Sequence, residues 1–177
     1  RFLDGQNKRK RTFLFQESVN VISSVLKVLP TGIFQKTLAD GLAHAGNLAR
    51  VDLQKTNLQD VYLGRKDETV ITVTDTDFYL ADLSYALLEH VSGKAIFYRA
   101  ILFCTQIKNS DLTGSSFREA DLTRVNFKNV ILKDADFTDA LNVPLRIKEK
   151  LKEGKYQDDA PVTAGHDLGL GKDIFFS

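Results

Sequence analysis

Large apolar residues recur every five positions along much of this 177-residue chain. In the stretch ADLTRVNFKNVILKDADF, residues 120–137, they stand at Leu122, Phe127, Leu132 and Phe137. An α-helix turns about 100° per residue, so a five-residue step scatters these side chains over every face. A flat strand alternates faces with a period of two, and five is odd, so successive members would point to opposite faces. The period therefore predicts a chain that turns a corner about every five residues and points each central side chain at a common axis.

The frame has a second inward position, two residues before each central residue, where the side chain is small or β-branched, as at Ala100 and Thr105. Residues two apart on an extended piece share a face, and a narrow interior leaves room only for short groups. The residue between them points outward and is often Asp or Asn, which bond backbone groups at turns. The central residues are Leu48, Leu53, Leu58 and Leu63, then Val73, Phe78, Leu83 and Leu88, then Phe97, Leu102, Ile107, Leu112, Phe117, Leu122, Phe127, Leu132 and Phe137.

This motif, a small residue, Asp or Asn, Leu or Phe, and two polar residues, resembles that of the pentapeptide-repeat family over residues 46–141. The resemblance implies an all-β solenoid, a right-handed quadrilateral β-helix with four pentapeptides per turn. Residues about twenty apart should then stack, which predicts Leu58 below Phe78 on one side. Phe97, Phe117 and Phe137 continue that stack.

Two segments interrupt the period. In residues 64–70 Glu68 falls on a central position between Leu48 and Leu88, where a carboxylate is poorly accommodated, so we expect this segment to bulge outward as a loop. Residues 91–94 are one residue short and are predicted to occupy one whole side.

The remaining segments define the domain organisation. Residues 1–11 form a basic lead-in. Residues 12–45 are predicted to be an N-terminal α-helical cap, because apolar residues recur there at helical spacing, and residues 142–156 a C-terminal α-helical cap. Residues 157–177 form a tail without a period. The apolar face of the N-terminal cap is Phe15, Val19, Ile22, Leu26 and Leu29, and that of the C-terminal cap is Ile147 and Leu151.

Composition excludes several function classes. The net charge is +1, so nothing favours direct binding of nucleic acid. The single cysteine, Cys104, excludes an internal disulfide and fits either a reducing compartment, which favours a cytoplasmic location, or indifference to redox state. The three histidines are far apart in the repeat, with no ligands at metal spacing. The sequence therefore predicts a non-enzymatic protein with no catalytic residue, no cofactor and no metal.

The start of the sequence leaves membrane tethering open. It begins at Arg1 and contains no methionine, which suggests a fragment or a processed chain. The basic run 8–11 is most often a solvated lead-in to a helix, but it is also typical of the cytoplasmic flank of a membrane span. Membrane tethering is expected only if such a span precedes Arg1.

Outward positions next to the central residues are mostly polar, with an exception in the middle turns. Apolar side chains there should form one patch on two adjoining sides, with Tyr62 and Tyr85 near its rim. We expect this patch to bind another protein or a second copy of the chain as a homodimer, although aromatic residues also cover β surfaces without any partner. The patch residues are Tyr79, Ile96, Tyr98, Ile101 and Phe103.

Two further expectations follow from the family resemblance. Some members protect DNA gyrase by imitating duplex DNA, so an inhibitor or protector of gyrase or topoisomerase is the alternative function. Residues 45–144 carry 14 acidic and 11 basic residues, which is a poor match to the charge density of DNA. Loops that interrupt the coil help engage the target in such proteins, which makes the loop a second candidate contact by analogy, although a tolerated surface insertion is the favoured explanation. Its candidate residues are Arg65, Lys66, Asp67 and Glu68.

Overall fold

The structure is a computed structural model that describes residues 17–22, 24–25, 27–28, 37, 41–42, 44–65, 67–158 and 160–162. Its repeat strands are very short, because the chain turns a corner about every five residues. They are β1 (Tyr62–Leu63), β2 (Ile71–Thr72), β3 (Leu87–Glu89), β4 (Val91–Ser92), β5 (Gln106–Asp111) and β6 (Asn126–Ile131). A helix at Leu145–Lys150 and the strands β7 (Leu151–Lys152) and β8 (Lys155–Tyr156) follow.

Residues 47–141 form a parallel β-solenoid with four sides, as the sequence predicts. Pairing between β3, β5 and β6 is parallel throughout, and isolated parallel bridges connect the other two sides. We give each of the four sides a name for reference, followed by its central residues. These are the glycine side (Leu48, Val73, Gly93, Leu112, Leu132), the phenylalanine side (Leu53, Phe78, Phe97, Phe117, Phe137), the leucine side (Leu58, Leu83, Leu102, Leu122) and the strand side (Leu63, Leu88, Ile107, Phe127).

The core is a column of stacked apolar side chains along the solenoid axis. Phe78, Phe97, Phe117 and Phe137 stack nearly parallel, with ring centroids 4.9, 4.9 and 5.0 Å apart, which confirms this part of the predicted register. The second inward position holds small or β-branched residues, and its hydroxyls bond main-chain carbonyls. Thr105 Oγ1, for example, donates to the carbonyl of Leu83 at 2.7 Å. These bonds let a polar side chain share the narrow interior without an unsatisfied group.

The corners explain why Asp and Asn recur before the central residue. The residue two positions after the centre adopts a left-handed backbone, as at Cys104 (φ 55°), and the next N–H bonds back, from Thr105 to the Leu102 carbonyl at 3.1 Å. This is the geometry of a type II turn. The outward carboxylate stabilises the turn, since Asp121 Oδ1 accepts the backbone N–H of Thr123 at 3.0 Å. The predicted role of these Asp residues at turns is therefore confirmed.

The predicted stacking of the first turn is wrong. Asp52 pairs with Asp77 and Asn57 with Asp82, an offset of 25 residues, so Leu53 rather than Leu58 lies below Phe78. The offset arises because the loop 64–70 leaves the wall and contributes no side. Glu68 consequently stacks on nothing in the core and is exposed, and the predicted outward bulge is confirmed.

The deletion at residues 91–94 is absorbed on the glycine side, as predicted. Val91–Ser92 pairs with Ile71–Thr72, so Gly93 takes a central position and the next central residue, Phe97, follows after four residues. Gly93 has φ 130°, and a Cβ atom there would lie 2.7 Å from the backbone nitrogen of Thr74. Only glycine fits this close approach between consecutive turns.

The described residues do not confirm the N-terminal helical cap as a whole. Residues 17–22, 24–25, 37, 41–42 and 44–45 are helical, and the side chains of Val19 and Leu42 join the buried core of the column. Of the predicted apolar face, Ile22 is partly buried against that core. Phe15, Leu26 and Leu29 lie outside the described residues, as does the basic lead-in 1–11.

The prediction of a C-terminal helical cap over residues 142–156 is wrong for more than half of those residues. Only Leu145–Lys150 is helical, with Ile147 fully buried, and β7 and β8 then form an antiparallel hairpin. Asp136 pairs with Lys155 in an antiparallel bridge, so this hairpin covers the last phenylalanine-side edge. Hydrogen bonds to open strand edges favour extended backbone there over continued helix. Residues 163–177 of the predicted tail lie outside the described residues, whereas Val162 bridges to Val130.

Candidate functional site

The five predicted patch residues lie on two adjoining sides and in two consecutive layers of the column. Tyr79 lies beside Phe78, and in the next layer Ile96 and Tyr98 flank Phe97 on the same phenylalanine side. Ile101 and Phe103 flank Leu102 on the leucine side. The side chains of four of these residues are half-buried, and Ile101 is 42% exposed. The structure thus brings the five residues to one corner of the column.

On the phenylalanine side the patch is held by a polar and aromatic cluster. The rings of Tyr79 and Tyr98 stack with centroids 5.4 Å apart. The Tyr98 hydroxyl donates to Glu119 Oε1 at 3.0 Å, and Arg99 Nε donates to Glu119 Oε2 at 2.6 Å. The Arg99 guanidinium lies 5.2 Å from the centroid of the Tyr98 ring. These contacts fix the ring of Tyr98, so little conformational entropy would be lost when a partner packs on it.

The same contacts shift the protonation equilibria of the cluster. The hydrogen bond to Glu119 raises the pKa of Tyr98. The hydrogen bond from Arg99, with that from Tyr98, lowers the pKa of Glu119. Each shift favours the neutral phenol and the charged carboxylate, so the cluster keeps one arrangement near neutral pH.

On the leucine side the patch is more exposed. Phe103 meets the ring of Tyr85 edge to face with centroids 5.4 Å apart, and Tyr85 is 57% exposed. Ile101 and Ile96 occupy outward positions that hold Asp in the layer below, since Asp82 pairs with Ile101 and Asp77 with Ile96. Isoleucine cannot accept the turn hydrogen bond that those Asp side chains accept. Ile96 and Ile101 therefore lack that turn contact and place apolar side chains at the surface of this layer.

Leu80 belongs to the same corner and was not predicted from the sequence. It is 40% exposed, has φ 56°, and its N–H bonds the carbonyl of Tyr98 at 3.2 Å. Bulky side chains are strained in the left-handed region, by roughly 1–2 kcal/mol. Tyr85, at the next corner, where the leucine side meets the strand side, shares both properties, with φ 61°. The available signal was a bulky apolar residue two positions after a central residue, where most repeats have polar residues or glycine. We call Leu80, Tyr85 and the five predicted residues the corner patch.

The loop 64–70 is held in a compact turn by hydrogen bonds among its own residues. Asp67 receives two bonds from Arg65, at 3.2 and 3.0 Å, and bonds from the hydroxyl and backbone N–H of Thr69 at 2.7 and 3.2 Å. The hydrogen bonds from Thr69 and Arg65 lower the pKa of Asp67 to about 2. Glu68 and Val70 are exposed on this turn. Lys66 lies outside the described residues.

The structure does not bring the loop and the corner patch together. The loop leaves the wall between the strand side and the glycine side, and the patch lies at the corner between the phenylalanine and leucine sides. In a four-sided column these corners are diagonally opposite. Tyr62, predicted at the patch rim, is also on the strand side because of the shifted first turn, and its hydroxyl donates to Glu89 at 3.3 Å.

Within the described part of the chain, no group of three or more His, Cys, Asp or Glu side chains is arranged to hold a metal ion. Cys104 is a free, half-buried thiol at a left-handed corner. Among the helices the structure describes, none has both the length and the apolar character needed to cross a bilayer.

Comparison with known proteins agrees with this architecture. Residues 100–139 match the family model for pentapeptide repeats in 8 copies. Residues 100–139 of this chain are thus pentapeptide repeats. No curated protein matches the sequence.

Several solved pentapeptide-repeat structures resemble the chain. HetL of the cyanobacterium Nostoc, involved in heterocyst differentiation regulation, is 23% identical over 54% of this chain, with a TM-score of 0.34. The match spans 46% of the HetL chain, less than half of its length. Rfr23 of the cyanobacterium Cyanothece is 21% identical over 54% of this chain and 80% of its own, with a TM-score of 0.20. QnrB1, a plasmid-mediated fluoroquinolone resistance protein, is 8% identical over 56% of this chain and 74% of its own, with a TM-score of 0.25.

Proposed function

We propose that this chain is a non-enzymatic scaffold that binds another protein through the corner patch. The observation that carries the proposal is the pair Leu80 and Tyr85, two bulky residues that occupy left-handed corners while 40% and 57% exposed. Every corner of the repeat requires this backbone, but at these two corners the side chain is large and apolar and a substantial part of it stays in contact with water. A partner that covers them would recover the apolar burial, which gives these side chains a role that folding alone does not.

The flanking residues support the same proposal. Tyrosine and phenylalanine supply much contact area at low entropy cost and are frequent anchors of protein interfaces. Tyr98 is already held by Tyr79, Arg99 and Glu119, and Phe103 is held by Tyr85. The rigid wall of the solenoid would hold these two side chains at a fixed distance and orientation relative to each other.

The alternative, a DNA-mimicking inhibitor or protector of gyrase or topoisomerase, has less support. An effective mimic needs unneutralised negative charge along its wall. Here Arg99 pairs with Glu119 at 2.6 Å, and Arg118 lies 3.6 Å from Asp136 on the same side. These cations neutralise two of the carboxylates on the phenylalanine side, which lowers the negative charge that such mimicry would need there.

The test is a double substitution, Tyr98→Ser with Phe103→Ser. Tagged wild-type and variant chains capture proteins from extracts of the source cells, and each captured protein is then purified and titrated by calorimetry. We expect the variant to bind at least tenfold more weakly, because two buried anchors of roughly 1–2 kcal/mol each are lost. Its circular dichroism melt should remain a single cooperative transition at a modestly lower temperature, since both side chains lose surface contacts but neither faces the axis.

Tyr62→Ser is the matched control, because it removes an outward tyrosine from the strand side. It should leave binding unchanged. Equal affinity of wild-type chain and double variant for every captured protein would contradict the proposal. Sedimentation velocity on the same variants shows whether a second copy occupies the patch.

A further inference from the structure

Ile101, the most exposed of the five predicted patch residues, stands between two carboxylates. Asp82 and Asp121 occupy the same outward position in the layers below and above it. Both are held in place: Asp82 accepts the Ser84 N–H at 2.9 Å and, on its other oxygen, the side-chain amide of Gln59, and Asp121 accepts the Thr123 N–H at 3.0 Å. Among the residues that the structure describes, neither carboxylate forms an ion pair. The two negative charges on this part of the leucine side are therefore fixed in position and not neutralised.

The spacing of these three side chains restricts what could cover them. Successive layers of a β-solenoid lie about 4.8 Å apart, so each carboxylate is displaced by about that distance from Ile101 along the axis. In a partner strand laid along the axis, side chains on one face would be about 6.8 Å apart, which is too long a step. In an α-helix, residues three or four apart are displaced by about 4.5–6 Å along the axis and share a face. A helix therefore matches the spacing of the wall.

We propose that the corner patch binds an amphipathic helix of a partner protein, with an apolar side chain seated on Ile101 and Phe103. Lysine or arginine side chains one helical turn before and after that residue pair with Asp82 and Asp121. This inference rests on the proposed function and specifies the chemistry of the partner. The apolar contact supplies affinity, and the two ion pairs fix the register of the helix along the wall.

The probe is an alanine-based helical peptide of about 17 residues, with one leucine and a lysine four residues to each side. Its twin carries glutamate in place of both lysines. Each is titrated to millimolar concentration into the ¹⁵N-labelled full chain, and binding is followed by amide chemical shifts. We expect the lysine peptide to shift the amides of Leu80, Ile101 and Phe103 saturably, and the glutamate peptide to bind at least fivefold more weakly.

The protein variants separate charge from apolar contact. Asp82→Asn with Asp121→Asn keeps an acceptor for each turn but removes both charges, and should weaken the lysine peptide about threefold or more, since an exposed ion pair contributes roughly 0.2–1 kcal/mol. Asp75→Asn with Asp111→Asn, two charges on the glycine side, is the matched control and should have no effect.

Equal binding of both peptides, or an undiminished affinity in the Asp82/Asp121 variant, would overturn the basic helix while leaving the proposed scaffold function intact. Shifts that depend on protein concentration without peptide would overturn it in favour of a second copy. No saturable shift with either peptide would also overturn it, and the proposed function would still be decided by its own capture experiment.

Discussion

Phe117 offers the sharpest test of the column, because its ring is at the centre of the aromatic stack. It is fully buried, with ring centroids 4.9 Å from Phe97, 5.0 Å from Phe137 and 5.9 Å from Phe127. Replacing a buried phenylalanine by alanine costs about 3–5 kcal/mol. The three ring contacts account for roughly 1.5–4.5 kcal/mol of such a loss, at about 0.5–1.5 kcal/mol per pair.

The substitution Phe117→Ala should therefore reduce the free energy of unfolding by about 3–5 kcal/mol and the melting temperature by roughly 6–20 °C for a chain of this size. Urea titration followed by far-ultraviolet circular dichroism measures the change. Phe103→Ala is the matched control, since its ring is outside the column, and should cost less than about 1.5 kcal/mol. Phe117→Asp should prevent folding of the column, because the carboxylate would be buried without a partner. A loss below about 1 kcal/mol for Phe117→Ala would refute the stacked core.

Three further predictions concern the irregular segments. Gly93→Ala should lower the free energy of unfolding by more than about 1 kcal/mol, measured by urea titration, because its Cβ would collide with the Thr74 backbone; an unchanged midpoint would contradict the close approach. The Asp67 pKa is lowered to about 2, so its stabilisation of the loop is complete above pH 4 and disappears as pH falls through about 2. Amide shifts of Thr69 should therefore stay constant from pH 7 to 4 and move near pH 2, and a transition near pH 4 would show that these bonds do not form. Deleting residues 65–69 should leave partner affinity in calorimetry unchanged, because the loop is at the corner opposite the patch; a tenfold loss would make the loop a contact.

The period of five was enough to predict a chain that turns a corner about every five residues around a common axis. The four sides per turn were an implication of the resemblance to the pentapeptide-repeat family. Phe97, Phe117 and Phe137 stack as expected. Where the period continues without interruption, the offset of about twenty residues holds. The first turn was placed wrongly because the sequence does not show whether an irregular segment such as 64–70 occupies a side of the wall or leaves it. Here it leaves, and the true offset is 25 residues.

The C-terminal end shows a different limit of sequence patterns. The stretch after Pro144 has helical spacing and charged residues, which predicts a helix through residue 156. An open strand edge, however, offers unpaired backbone groups that only extended chain can satisfy. Tyr156 accordingly donates its N–H to the carbonyl of Ala135 at 3.0 Å, and the helix ends at Lys150. This competition is between distant segments, so no local pattern reveals it.

The candidate site was only partly predictable for a related reason. Tyr98 and Phe103 were identified because the repeat map separates outward from inward positions. Leu80 was missed, because only the positions directly before and after each central residue were taken as outward, whereas Leu80 is two positions after Phe78, at an exposed left-handed corner. A folded chain gains little from a leucine that is both strained and 40% exposed, whereas an interface gains the burial of its side chain. The residues that contribute least to the fold of this wall are thus the ones that best mark where a partner would bind.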